Sequence, residues 1–367
     1  MSSIVDQGLP TSIEAVDGAW LTRALREAGR IGPADEVTIE RADPVGADSA
    51  YAGTLHRLHL AGPPAVPATL ILKLPVGGDV RPLLDGIGAY QREIAFYRDV
   101  APQAPHRTPD AWLALQATES TDFVLLLEDM APLVAADQLI GLGLPQARVA
   151  VGELARVHAW SWNHPRLASL AATFPPIDGD RGRAVQGQFA EFARMSWPLV
   201  AAQLGDELPP AVRAFGERLP DLIPFFVDEL AEPRALTHGE LRSDNLFLDG
   251  DRSPVLIDFQ AVQQEAGVRE VAYLVSQSMT VQERRGHDEE LVRHYWEGLV
   301  AAGVEGYSWD EAWRQYRLAV AYSLYLPAVA FLRYEAASET GRQLLREMVL
   351  RAAATIEDVG SLELLPD

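Results

Sequence analysis

A chain of 367 residues exceeds what one hydrophobic core usually fills, since single cores stop growing near about 250–300 residues, so two unequal lobes are expected. With 48% hydrophobic and 23% charged residues, the composition is that of an ordinary globular protein and excludes a disordered or collagen-like chain. A formal charge of −21 argues against a nucleic-acid partner, whose phosphates are held by Lys and Arg; the first 130 residues carry 18 acidic and 10 basic side chains, so the acidity marks no single site.

Zero cysteines exclude disulfides and Cys-based zinc sites and fit a reducing cytoplasm. Met1 to Gln7 lacks the basic and apolar segments of a secretory signal, so a cytoplasmic location is expected. The longest uncharged stretch, Leu318 to Leu332, falls short of the ~20 apolar residues of a spanning helix and is interrupted by Pro327; it reads as a buried, kinked helix, and no membrane partner is expected. Of the 31 basic residues, Lys73 is the only lysine. A coding bias toward arginine explains the trend, and the surviving lysine marks a place where a compact ammonium does what a planar guanidinium does not.

In chain order, Ser12 to Ala28 reads as a helix, with Ile13, Val16, Trp20, Leu21 and Leu25 at helical spacing. Val37 to Arg41, Gly53 to Leu60 and Ala68 to Leu74 read as an antiparallel meander, separated by Gly46-Ala47-Asp48-Ser49 and Gly62-Pro63-Pro64. A helix over Gly88 to Val100 and strands over Ala111 to Gln116 and Phe123 to Leu127 follow, and Glu128-Asp129-Met130-Ala131-Pro132 marks a connector. A lobe boundary there gives 1–130 and 131–367. Beyond it the pattern is mainly helical: Pro145 to Trp162, Phe189 to Leu204, Pro209 to Leu230, Asp288 to Ala302, Trp309 to Ala337 and Ser338 to Gly360. Only Ala235 to Phe259 returns to strand-and-turn character. The fold class is therefore α+β, a small antiparallel-sheet lobe followed by a larger helical one.

The densest chemical signal is His238-Gly239-Glu240-Leu241-Arg242-Ser243-Asp244-Asn245, followed by Ile257-Asp258-Phe259-Gln260. It resembles the catalytic loop and metal-binding segment of the aminoglycoside phosphotransferase and choline-kinase-like group, including its ecdysteroid kinase-like members, in which His-Gly-Asp is followed four residues later by Asn and then by Ile-Asp-Phe or Ile-Asp-Trp. A carboxylate five positions before an asparagine is also the protein-kinase arrangement. The resemblance implies a bilobal protein-kinase-like fold and transfer of phosphate from ATP, with Mg²⁺, to a hydroxyl of a small molecule.

The resemblance also assigns roles. Asn245 and Asp258 would be magnesium ligands, Glu240 would orient or deprotonate the acceptor hydroxyl, and Arg242 would stabilise the transferring phosphoryl group or else pair with Asp244 at the surface. Lys73, ending the apolar run Leu70-Ile71-Leu72, would hold the α- and β-phosphates with Glu93 as its helix partner; a strand-end lysine is expected to be exposed and its removal to spare the fold. Gly46 and Ser49 would let backbone amides approach phosphates, and the backbone of Glu128 and Met130 would meet adenine. His158 and His238 read as structural histidines. One departure opens a second reading: Glu240 stands where the group has Asp, so a nucleotide-binding pseudokinase is the alternative to an enzyme.

Overall fold

A computed structural model of the chain describes residues 4–6, 8–46, 53–78, 81–250 and 252–366. Its contacts divide into two compact units, Met1–Ala104 with Thr108–Leu133 and Ile257–Ala261, and Pro105–Arg107 with Val134–Leu256 and Val262–Asp367.

The first unit opens with α1 (Gly18–Glu27), shorter than the sequence pattern suggests. Ile13–Ala15 forms a separate 3₁₀ turn, and extended Asp17 starts the true helix by accepting the Trp20 N–H at 2.7 Å. Five strands follow, β1 (Thr38–Val45), β2 (Gly53–Ala61), β3 (Thr69–Pro75), β4 (Ala111–Gln116) and β5 (Phe123–Glu128), with α2 (Arg81–Ile87) and α3 (Ala89–Ala95) between β3 and β4. They pair antiparallel in the order β1-β2-β3-β5-β4. Leu70, Leu72 and Leu74 of the central strand β3 are fully buried in one cluster with Leu21 and Leu25 of α1, Leu58, Leu113 and Leu126. The two-residue period of a strand then sends Lys73 to the opposite face.

The helix expected over Gly88 to Val100 is interrupted. After α3 the backbone widens into a π turn, Phe96–Val100. The extra residue in that turn brings both Phe96 and Tyr97 against Phe259, whose ring stacks on Phe96 at 3.6 Å between centroids and meets Tyr97 edge-on at 5.6 Å.

The second unit contains β6 (Val134–Ala135), α4 (Leu144–Ser161), α5 (Arg166–Leu170), α6 (Asp180–Leu204), α7 (Pro210–Glu229), β7 (Arg234–Thr237), β8 (Leu246–Asp249), β9 (Arg252–Leu256), β10 (Gln263–Ala266), α8 (Val268–Ser278), α9 (Val281–Arg284), α10 (Asp288–Ala301), α11 (Trp309–Ser323), α12 (Tyr325–Ala330) and α13 (Glu339–Asp358). Strands β6, β8 and β9 form one small sheet, and β7 pairs with β10. The long helix expected over Trp309 to Ala337 breaks at Leu324 into α11, α12 and a 3₁₀ stretch, Phe331–Ala336. Pro327 explains the position, because it has no N–H for the carbonyl four residues back and its ring crowds that carbonyl, on Ser323. No helix among the described residues is long and apolar enough to cross a membrane.

Candidate active site

In the first unit the site is built around one ammonium. Lys73 Nζ lies 2.8 Å from each carboxylate oxygen of Glu93 on α3 and 2.9 Å from Asp258 Oδ1. Lys73 is only 7% exposed and Glu93 2%, which corrects the expectation of an exposed strand-end lysine: β3 is the central strand, and the stem runs under cover. Burial works against the ammonium, but Asp258 and Glu93 outweigh it and hold Lys73 well above the ordinary lysine range. Burial raises the Glu93 carboxyl, with Lys73 opposing. Gly53 makes room for this geometry, since a Cβ there would sit 3.0 Å from Lys73 Cε.

Asp258 reaches the lysine from a left-handed backbone conformation, φ +67°, uncommon for a residue with a side chain and of the kind stored at functional sites. Phe259 anchors the segment on Phe96 and Tyr97, and Gln260 Nε2 donates to Glu93 Oε2 at 3.2 Å. Among the described residues no group of three or more His, Cys, Asp or Glu could hold a metal. Asp258 in the first unit and Asn245 in the second each carry a hard side-chain oxygen, the donor type that Mg²⁺ prefers.

In the second unit the His238–Asn245 loop is held by its backbone. Gly239 sits at φ +87°, a conformation that favours glycine. Its N–H donates to Glu270 Oε1 at 2.9 Å, and its carbonyl accepts from Arg269 at 2.7 Å, so consecutive residues of α8 grip both polar atoms. Each gripping side chain is itself fixed. Arg269 pairs with buried Glu265 at 2.6 Å, which also accepts from Thr237 and Gln263; Glu270 meets His158, which meets Tyr295. Burial works against the Glu270 charge, yet His158, His238 and Arg269 outweigh it and hold the carboxyl below the usual range.

The far end of the loop is tied through Ser243, whose N–H reaches Gln138 Oε1 and Ser278 Oγ at 3.0 and 2.9 Å. Across the loop, Asn245 Nδ2 donates to the Glu240 carbonyl at 3.0 Å, which turns the asparagine's own oxygen away as a potential metal ligand. Glu240 N–H donates to His238 Nδ1 at 3.4 Å. Arg242 pairs with Asp244 at 2.9 Å and is largely covered, its side chain 15% exposed. His158 is a fully buried core histidine.

The ecdysteroid kinase-like family model matches residues 48–303, more than half of the chain. The chain belongs to that family. Among solved structures this family member is similar in fold to a candidate aminoglycoside phosphotransferase from Ralstonia eutropha JMP134, at 14% identity, TM-score 0.54, covering 94% of this chain and 97% of the other. It is also similar to a microcompartment-associated aminopropanol kinase, at 13% identity, TM-score 0.53, with 94% and 99% covered. A variant of aminoglycoside 2′-phosphotransferase-IIIa in complex with GDP gives 11% identity, TM-score 0.53, with 89% and 93% covered. No curated protein sequence matches. These likenesses establish the protein-kinase-like fold, with the small antiparallel sheet and the larger helical part expected from the sequence.

The ecdysteroid kinase-like chain thus brings together Lys73, Glu93 and Asp258 in one unit and Glu240, Arg242 and Asn245 in the other. At the connector, Glu128 uses its N–H on the Asp110 carbonyl and Met130 its carbonyl on Leu133 N–H, both at 2.8 Å. Asp129 between them is pinned by Arg57 at 2.7 Å. Gly46 is exposed at φ +63°, and Ser49 lies outside the described residues. Sequence reasoning missed Gly53, Gln260, Gln138, Arg57 and all of α8. Gln260 adjoins the recognised Asp258-Phe259 pair and was within reach of the motif; Gly53, Gln138 and Arg57 carry no local pattern.

Proposed function

We propose that this chain transfers the γ-phosphoryl group of ATP to a hydroxyl of a small molecule in the cytoplasm. The supporting observation is the Lys73 ammonium shared between Glu93 and Asp258 by the chain's only lysine. In this reading Lys73 aligns the α- and β-phosphates while Glu93 fixes its direction, and the Glu128 and Met130 backbone meets adenine. Gly46 and Ser49 let amides approach phosphate. Asn245 and Asp258 each offer an oxygen to Mg²⁺, which when bound neutralises phosphate charge. The acceptor oxygen forms a bond to the γ-phosphorus as the bond to the β-phosphate oxygen breaks; Glu240 orients the hydroxyl and takes its proton, and Arg242 stabilises the charge on the moving group. Nucleic acid and membrane have no part in this chemistry.

Glu240 in place of Asp supports the second reading, a pseudokinase that binds nucleotide without turnover. The clamp on Gly239 weighs against it, because it holds the loop that carries Glu240 at both backbone polar atoms, an ordered placement that catalysis needs. ADP release from the wild type, Glu240→Gln and Glu240→Asp, measured with a panel of neutral and amino alcohols, decides. The enzyme reading expects turnover in the wild type and loss in both variants; turnover only in the Asp form would sink it.

A further inference from the structure

The Lys73 cluster contains a contact that the proposed chemistry does not use, from Gln260 to Glu93 at 3.2 Å. Glu93 is buried, and an ionised carboxylate accepts up to about four hydrogen bonds, so a single ammonium does not satisfy it. A carboxylate only accepts, so the Gln260 amide presents its NH₂ group to it. The donor is itself rigidly placed, because Gln260 lies in the short turn Phe259–Ala261 whose phenylalanine stacks on Phe96, one turn beyond Glu93 in the π-widened helix.

Lys73 in this arrangement is shared by two carboxylates of unlike duty. Asp258 sits on an exposed edge, with its side chain 41% exposed, whereas Glu93 is enclosed. Any cation that engages Asp258 competes with Lys73 for it, and the lysine is then held by Glu93 alone. A Glu93 carboxylate with no second anchor would turn with the lysine. We infer that Gln260 is a positioning residue that fixes Glu93 to the turn carrying Asp258, so that Lys73 keeps its direction when Asp258 is drawn to another partner. The inference deepens the phosphotransfer reading, and its kinetic consequence rests on that reading; its structural consequence does not.

Because Lys73 is the only lysine, a chain grown with ¹³Cε-lysine gives one ε-CH₂ resonance from the intact protein. Its order parameter is measured in the wild type, in Gln260→Met, which keeps the length and removes the donor, and in Gln260→Ala. The wild-type signal is expected to be rigid, and both variants to drop by about a third, toward the range of flexible groups, in molecules that remain folded at the temperature of measurement. A drop in the Ala form alone would assign the effect to packing and overturn the inference, as would no drop in either. In steady-state ADP release, Gln260→Met should lower kcat about tenfold with the acceptor KM unchanged, the signature of a lost alignment. Unchanged kcat in an active enzyme would also overturn it. If the wild type neither turns over ATP nor shifts its lysine resonance with MgATP, the phosphotransfer reading falls, and the role of Gln260 is judged by the order parameters alone.

Discussion

The two halves of the machinery are held in opposite ways. In the second unit the loop bearing Glu240 is gripped through its backbone, at Gly239 by Arg269 and Glu270 and at Ser243 by Gln138 and Ser278. In the first unit the cluster of Lys73, Glu93 and Asp258 is held through the charges themselves. A backbone grip makes the position of a functional side chain independent of its identity, whereas a charge cluster makes each member responsible for the others. Exchanging Glu240 should therefore touch chemistry alone; exchanging Lys73 should touch chemistry and fold together.

The sharpest test of that contrast is Lys73→Met. Turnover should fall by about 10³-fold or more, and Lys73→Arg should not restore it, because a guanidinium does not fit the stem and partners of an ammonium. Stability should fall as well, by up to about 3–5 kcal/mol if Glu93 stays ionised and less if it takes a proton. Lys73→Met with Glu93→Leu should recover much of the stability and none of the turnover. Denaturant melts of the three variants read this out; an unchanged midpoint in Lys73→Met would mean that the cluster is not held by its charges.

Next in size is Arg269→Met, which leaves the Gly239 carbonyl without its donor and Glu265 without its counter-charge, both fully buried. A loss of about 3 kcal/mol is expected in urea unfolding, with a parallel fall in kcat as the loop loosens. If stability falls and kcat per folded molecule does not, the clamp is structural only and the proposed independence of Glu240 needs another source. Glu240→Gln then completes the comparison, with kcat lower by about 10²-fold and melting temperature within the ordinary scatter of surface substitutions.

The difference between the two regions also explains what the sequence disclosed. The loop and the Asp258 segment were legible because they match the group's motif in residue type and spacing, and Lys73 because it is the only lysine in the chain. The five strands were legible as short apolar or alternating runs bounded by turn residues, but their order, with β5 beside β3, was not. Helix α8 was not: its polar residues Arg269, Glu270, Ser276 and Gln277 recur at helical spacing, but all eleven residues are buried, so this polar face serves the interior, where Arg269 and Glu270 grip Gly239, and not solvent. The burial of Lys73 was hidden for a related reason. A strand's end in sequence says nothing of whether neighbours flank it on both sides, and β3 is flanked by β2 and β5. The π turn after α3 is likewise set by tertiary fit, whereas the break at Leu324 was signalled by Pro327 three residues downstream, which marks a kinked helix in the sequence.

The smallest effect expected is at Arg57, and it probes the first unit away from its charge cluster. Arg57 on β2 pairs bidentately with Asp129, at 2.7 and 3.2 Å, and Asp129 also accepts the Ala131 N–H, so the pair pins the connector that contains Glu128 and Met130. Burial works against the Asp129 charge, but Arg57 and the Ala131 N–H hold its carboxyl below the usual range. A depressed carboxyl contributes stability above its unfolded pKa and loses it as pH falls through the folded value. The contribution is therefore complete at neutral pH and fades only in acid. The arginine is one-third exposed and Asp129 is nearly covered but keeps the Ala131 N–H, so Arg57→Ala should cost about 1–2 kcal/mol, less at high salt. If the connector backbone meets adenine, loosening it should raise the KM for ATP about two- to fivefold while kcat and the acceptor KM stay as they were. A change in kcat instead would mean that the connector transmits strain to the lysine cluster, and the first unit would then be coupled more widely than its charges alone provide.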